Sequence, residues 1–140
     1  MRIRGMILTT AAILLVAGSA HAAQGAVCSV AVTATHDGAV VETYATDFTV
    51  APDAPFIDDF STPTREKEFR ARLMREDDGV KVHISYFSDL GAFHAASFDA
   101  DVLVAAKPRT TSGGTGFFLS SSDVPVGGTH QIRYTLTCER

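Results

Sequence analysis

The chain is predicted to be all-β: a single antiparallel β-sandwich of about seven strands with immunoglobulin-like architecture, a small β-barrel being the alternative. Three observations lead there. Apolar and polar residues alternate with period two in segment after segment beyond residue 25, the pattern of strands with one face in a core. Turn-forming Asp-Gly, Gly-Gly and Pro residues separate those segments at short intervals, as hairpin-connected strands require. Only two cysteines occur, Cys28 and Cys138, one on the first such segment and one on the last.

The first twenty-two residues set the compartment in which those cysteines are read. "MRIRG" is basic, "MILTTAAILLVAG" is apolar, and "SAHA" carries small residues at signal-peptidase spacing; together they have the three parts of a secretory signal peptide. The apolar run is shorter than the roughly twenty residues a spanning helix needs. Cleavage is expected after Ala22, leaving residues 23–140 as one domain. Val27 is a poor residue to precede a lipidated cysteine, so Cys28 is read as a disulfide partner and not as a lipid anchor. The expected product is soluble, periplasmic or secreted, without membrane insertion. The absence of Asn and Trp and the presence of only three Lys suggest a bacterial source.

Cleavage removes Arg2 and Arg4, leaving ten basic residues against sixteen acidic ones, a net charge of −6. Phosphate backbones and anionic lipid surfaces are bound by clustered Lys and Arg, so no nucleic-acid partner is expected. In an oxidising compartment two cysteines in a small domain pair with each other. Cys28, Val30 and Val32 share one face of the first strand, and Ile132, Tyr134, Leu136 and Cys138 share one face of the last. The bridge is therefore expected to join the ends of the chain on the core side.

Between those ends the elements follow in order. "HDG" turns the chain into "AVVETYATDFTV", in which Val40, Tyr44, Phe48 and Val50 share a face; the proline-rich "APDAPFIDDFSTPT" is read as a connection without a regular partner. "KEFRARLMR" alternates Phe69, Ala71 and Leu73 against charged residues, and "VKVHISYF" alternates Val80, Val82, Ile84 and Tyr86. The two are predicted to form a hairpin about Asp78-Gly79, with Arg70 opposite Phe87 and Arg72 opposite Ser85. Thr62-Pro63 offers a helix start for residues 64–76, but a helix there would strand the following segment without a partner, so strand is expected. "AASFDADVLVA" sets Ala96, Phe98, Ala100, Val102 and Val104 on one side, "KPRTTSGGTG" is read as a glycine-rich linker, and "FFLSS" precedes the terminal strand.

Chemistry is sparse at sequence level. Of the histidines left after cleavage, His36, His83, His94 and His130, no two stand at the His-x-His or His-x-x-x-His spacing that brings imidazoles together, and no metal site is expected. Asp53, Asp58 and Asp59 in the proline-rich stretch fall short of the six to eight oxygens calcium takes. "TTSGGTG" lacks both the following helix of a phosphate loop and the oriented histidine and acid of a serine hydrolase. No cofactor and no catalytic residue are expected, and the chain is read as a non-enzyme.

What remains are contact surfaces. The outward face of the predicted hairpin would carry Arg70, Arg72, Lys81, His83 and Phe87, a basic, partly apolar patch on an acidic protein, while Phe56 and Phe60 stand among acids in the proline-rich stretch. Exposed apolar residues of that kind mark partner sites. The sequence thus points to an exported, monomeric protein-binding module of chaperone or inhibitor type acting through strand edges or the hairpin face. A structural subunit or accessory of a surface fibre or pilus is the alternative, with a small hydrolase or metal-binding protein disfavoured.

Overall fold

The computed structural model describes residues 25–91, 94–115, 119–120 and 129–140. The predicted signal peptide with its cleavage point, most of "FFLSS" and the "SDVPVGG" stretch lie outside the described residues. Among these residues nine strands are present: β1 (Ala26–His36), β2 (Ala39–Val50), β3 (Phe56–Asp59), β4 (Lys67–Glu76), β5 (Gly79–Gly91), β6 (His94–Leu103), β7 (Arg109–Thr115), β8 (Leu119–Ser120) and β9 (His130–Glu139). They form two antiparallel sheets, β2-β1-β9-β7 and β3-β4-β5-β6-β8, and no helix long and apolar enough to cross a membrane is found among the described residues.

Alternation within each strand decides what lies between the sheets. Ala26, Cys28, Val30, Val32 and Ala34 of β1 and Ile132, Leu136 and Cys138 of β9 face Phe69, Ala71, Val82, Ile84, Tyr86, Ala96 and Val102 of the second sheet, and all are buried. Aromatic rings fill the middle: Tyr44 packs on Phe69 and Tyr86 at 5.4 and 5.7 Å, and Phe98 stacks on Tyr134 at 4.7 Å. Glycine at 113 lets the Tyr134 ring lie close over the strand, since a Cβ there would come within 2.9 Å of the ring and displace it.

The expected disulfide is present. Cys28 and Cys138 face each other directly in the β1–β9 register, with Cα atoms 4.2 Å apart. It closes a long loop between neighbouring strands of one sheet, whereas the bridge of antibody domains crosses between sheets. Likeness to that family is therefore confined to the sandwich architecture.

Four expectations are corrected. Residues 56–59 are not an unpartnered connection: as β3 they pair with β4, Phe56 opposite Ala71 and Asp59 opposite Glu68. Residues 109–115 are not a linker but the edge strand β7, pairing with β9 from Arg109↔Cys138 to Thr115↔Ile132; backbone hydrogen bonding to a strand already in place outweighs the poor strand propensity of Gly113 and Gly114. The β4–β5 turn falls on Asp77-Asp78, giving Arg70↔Ser85 and Arg72↔His83, two residues away from the predicted partners. A slip of two preserves which face each residue occupies, so the predicted faces stand. In the β1–β2 pairing the register shifts between Ala34 and Thr35 of β1; Val41 of β2 is the extra residue, and the resulting bulge turns Val40, 61% exposed, away from the face of Tyr44 and Phe48. The first hairpin turns at Asp37-Gly38 with φ of 49° and 80°, the positive values a tight two-residue turn demands.

Candidate functional site

Three regions of the sandwich bring polar chemistry or unpaired strand edge together: the outer face of the second sheet, the edge formed by β2, and one end between the sheets.

On the outer face the register builds cross-strand rows. Ile57, Arg70, Ser85 and Asp99 form one, Arg72, His83 and Asp101 the next, and Met74, Lys81 and Leu103 a third. Arg70, Arg72, Lys81, His83 and Phe87 therefore share this face as expected, but its charge is balanced. Arg70 binds both carboxylate oxygens of Glu68. Lys81 pairs with Glu76 and lies 3.2 Å from Asp78, contacts that raise its pKa. His83 Nδ1 is 2.7 Å from Asp101 and Nε2 is 3.8 Å from Asp99. Glu68 and Glu76 of β4 itself, with Asp99 and Asp101 of β6, set acids among the basic residues and neutralise the patch. A shallow groove of about 380 Å³, lined by Pro55, Ile57, Arg70, Arg72 and His83 among others, crosses it.

Phe56 and Phe60 point the other way. Phe56 stacks on Phe48 at 5.2 Å and Phe60 on Tyr44 at 4.6 Å, so both belong to the rim of the core. Ile57, between them on the opposite face of β3, is the exposed apolar residue, at 55%. Asp58 and Asp59 are likewise split by strand alternation: Asp58 accepts a 2.8 Å hydrogen bond from the Tyr44 hydroxyl, and Asp59 accepts one from the Ser61 amide. Strand geometry thus disperses the acids of this stretch.

A polar seam crosses between the sheets at their β2 side. Glu42 of β2 pairs with Lys67 of β4, both side chains largely buried, and the buried Ser88 hydroxyl donates to the same carboxylate at 3.3 Å. Burial, with the bond to Asp58, raises the Tyr44 pKa well above the ordinary phenol value; burial pushes Tyr86 up to about 12. This seam ties the edge strand to the opposite sheet.

That edge is β2 itself. The short Cα separation at Cys28–Cys138 marks a pair without mutual backbone hydrogen bonds, so the backbone groups of Cys28 are directed to Phe48 of β2. By alternation Glu42, Tyr44, Thr46 and Phe48 bond to β1, while the N–H and C=O groups of Thr43, Ala45, Asp47 and Thr49 point outward, and no strand pairs with them among the described residues. Comparisons with known protein families, with curated proteins and with solved structures found no match.

At one end of the sandwich, three histidines meet. His36 ends β1, His130 begins β9 directly opposite it, and His94 begins β6 in the other sheet. Ring centroids are 4.3 Å apart for His36–His130, 6.0 Å for His94–His130 and 6.5 Å for His36–His94. Sequence spacing held no signal for this cluster, because register and sheet stacking create it. Among the described residues no group of three or more His, Cys, Asp or Glu side chains is placed to hold a metal ion.

Proposed function

We propose that this chain is an exported, non-enzymatic protein-binding module of the periplasm or extracellular space, and that its partner adds an extended segment alongside β2. The observation that carries the reading is that, among the described residues, no strand pairs with that long, regular edge. Natural edge strands are kept short, or carry Lys, Pro or irregularities that discourage pairing. Among the described residues the other edges fit that rule: β3 spans four residues between Pro55 and Pro63, β8 spans two, and β7 follows Pro108 and contains Gly113-Gly114. β2 is twelve residues long with no Lys, Arg or Pro, and beyond the Val41 bulge it runs regularly from Glu42 to Val50. Strand addition supplies affinity through main-chain hydrogen bonds and specificity through alternate side chains. The disulfide between buried cysteines supports export to an oxidising compartment.

The edge is tested by proline placement. Ala45→Pro removes one outward N–H and leaves every β1–β2 bond intact, a position where edge strands accept proline. Proteins bound by wild type from cell-envelope extract should be lost with Ala45→Pro while its circular dichroism and gel-filtration volume stay those of a folded monomer. Equal recovery by both chains refutes edge pairing. Concentration-dependent polymerisation of the wild type would favour a fibre subunit instead.

A further inference from the structure

Given edge pairing at β2, on which this rests, we infer that the segment taken by that edge is basic: an extended stretch of a partner protein with Lys or Arg at alternate positions and apolar residues between them. By alternation Glu42, Tyr44, Thr46 and Phe48 face the opposite sheet, and Thr43, Ala45, Asp47 and Thr49 face away from it. Side chains directly opposite one another on neighbouring strands share a face. An added strand therefore divides its side chains between two different surroundings.

On the inner side those side chains meet aromatic rings. Phe56 of β3 stacks on Phe48, and Phe60 on Tyr44. Tyr44, Phe56 and Phe60 are only half-buried, because β2 and β3 are the edge strands of their two sheets on this side, with no strand beyond either among the described residues. A strand laid about 4.8 Å beyond β2 brings every second side chain towards these rings. An aliphatic or aromatic residue at that phase removes apolar surface from water, whereas a charged one would lose hydration without a partner.

In charge the edge is one-sided. β2 and β3 carry Glu42, Asp47, Asp58 and Asp59 and neither Lys nor Arg. Lys67 of β4 already pairs with Glu42, and among the described residues Asp47 pairs with no cation. Asp47 stands exposed within the regular run Glu42–Val50, and with Ser29 and Thr137 it lines a shallow groove of about 290 Å³ on the outward face. A Lys or Arg at the outward phase of an added strand reaches this carboxylate. Opposite charges on neighbouring strands attract and like charges repel, so the edge selects a basic segment and discourages an acidic one. A second copy is disfavoured by the same rule, since β2 against β2 doubles the carboxylates and adds no cation.

The experiment follows the fluorescence anisotropy of two labelled, end-capped peptides as long as the run Glu42–Val50, one alternating Val with Lys and the other Val with Glu. Each is titrated with the exported chain, with Ala45→Pro and with Asp47→Lys. Both substitutions fall at exposed positions, and circular dichroism first establishes that each variant is folded. Wild type should bind the Lys peptide about tenfold or more tightly than the Glu peptide, a preference that narrows as salt is raised. Ala45→Pro, which leaves the charge of the protein unchanged, should abolish Lys-peptide binding, and Asp47→Lys should weaken it about threefold or more. Equal binding of the two peptides, no binding of the Lys peptide, its full retention by either variant, or a wild-type dimer that Ala45→Pro abolishes overturns the inference. Failure here is distinguishable from failure of edge pairing. If Ala45→Pro loses the envelope partners while wild type does not discriminate between the peptides, edge pairing stands and the basic assignment falls; if Ala45→Pro keeps those partners, both fall.

Discussion

Removing the disulfide should cost this domain a large share of its stability while leaving its fold in place. Cys28 and Cys138 are separated by 110 residues. A loop of that length confines the unfolded chain by about 4–5 kcal/mol in the chain-entropy treatment. The folded state does not depend on the bond for its pairing: β1 and β9 are in register at ten consecutive positions, Val27↔Glu139 to His36↔His130, with β2 on the far side of β1 and β7 on the far side of β9. With an unfolding entropy of about 2.1 cal/mol/K per residue, a loss of that size in a domain of this length lowers the thermal midpoint by roughly 15–20 °C. The assay is thermal and urea unfolding of wild type, oxidised and reduced, beside Cys28→Ala/Cys138→Ala. Reduction and double substitution should lower the midpoint similarly, the substitution slightly more because both side chains are buried. Midpoints within about 2 °C of the oxidised protein, or loss of the β-sheet spectrum at 20 °C on reduction, would refute the reasoning.

Lys67→Met should destabilise the domain by about 2–3 kcal/mol in urea titrations, because it leaves the largely buried Glu42 carboxylate without its cation; adding Glu42→Gln should recover part of the loss, and an additive double-mutant cycle would contradict the pairing. Tyr86 holds its proton to about pH 12 when folded against 10.0 when free, so its contribution is complete below pH 10 and is lost as pH rises towards 12. Stability should fall over that window by about 2 kcal/mol more in wild type than in Tyr86→Phe, with unfolding midpoints at pH 9, 10.5 and 11.5 as the check. Arg70→Glu/Arg72→Glu should change stability by under about 1 kcal/mol, since both side chains are exposed on the outer face; loss of folding would mean that the register of β4 differs.

The strand faces were legible because period-two alternation is a local property. Phe69, Val82, Ile84, Val102, Leu136 and both cysteines could be placed inside from their neighbours alone, and export chemistry together with core-side phasing was enough to pair Cys28 with Cys138. Even a turn misplaced by two residues left Arg70, Arg72, Lys81 and His83 on the predicted face, for parity survives such a slip. Partnership across long separations was not legible. Residues 56–59 and 109–115 carry weak strand signals and become strands because β4 and β9 offer them hydrogen-bonding edges. The acids beside His83, Asp99 and Asp101, arrive from β6, and the histidine cluster depends on β1, β9 and β6 meeting at one place. Alternation tells each residue which side of its own strand it occupies. Which other residues meet it there is set by register and by how the two sheets stack, and those are decided only when backbone pairing and core packing are satisfied across the whole chain at once.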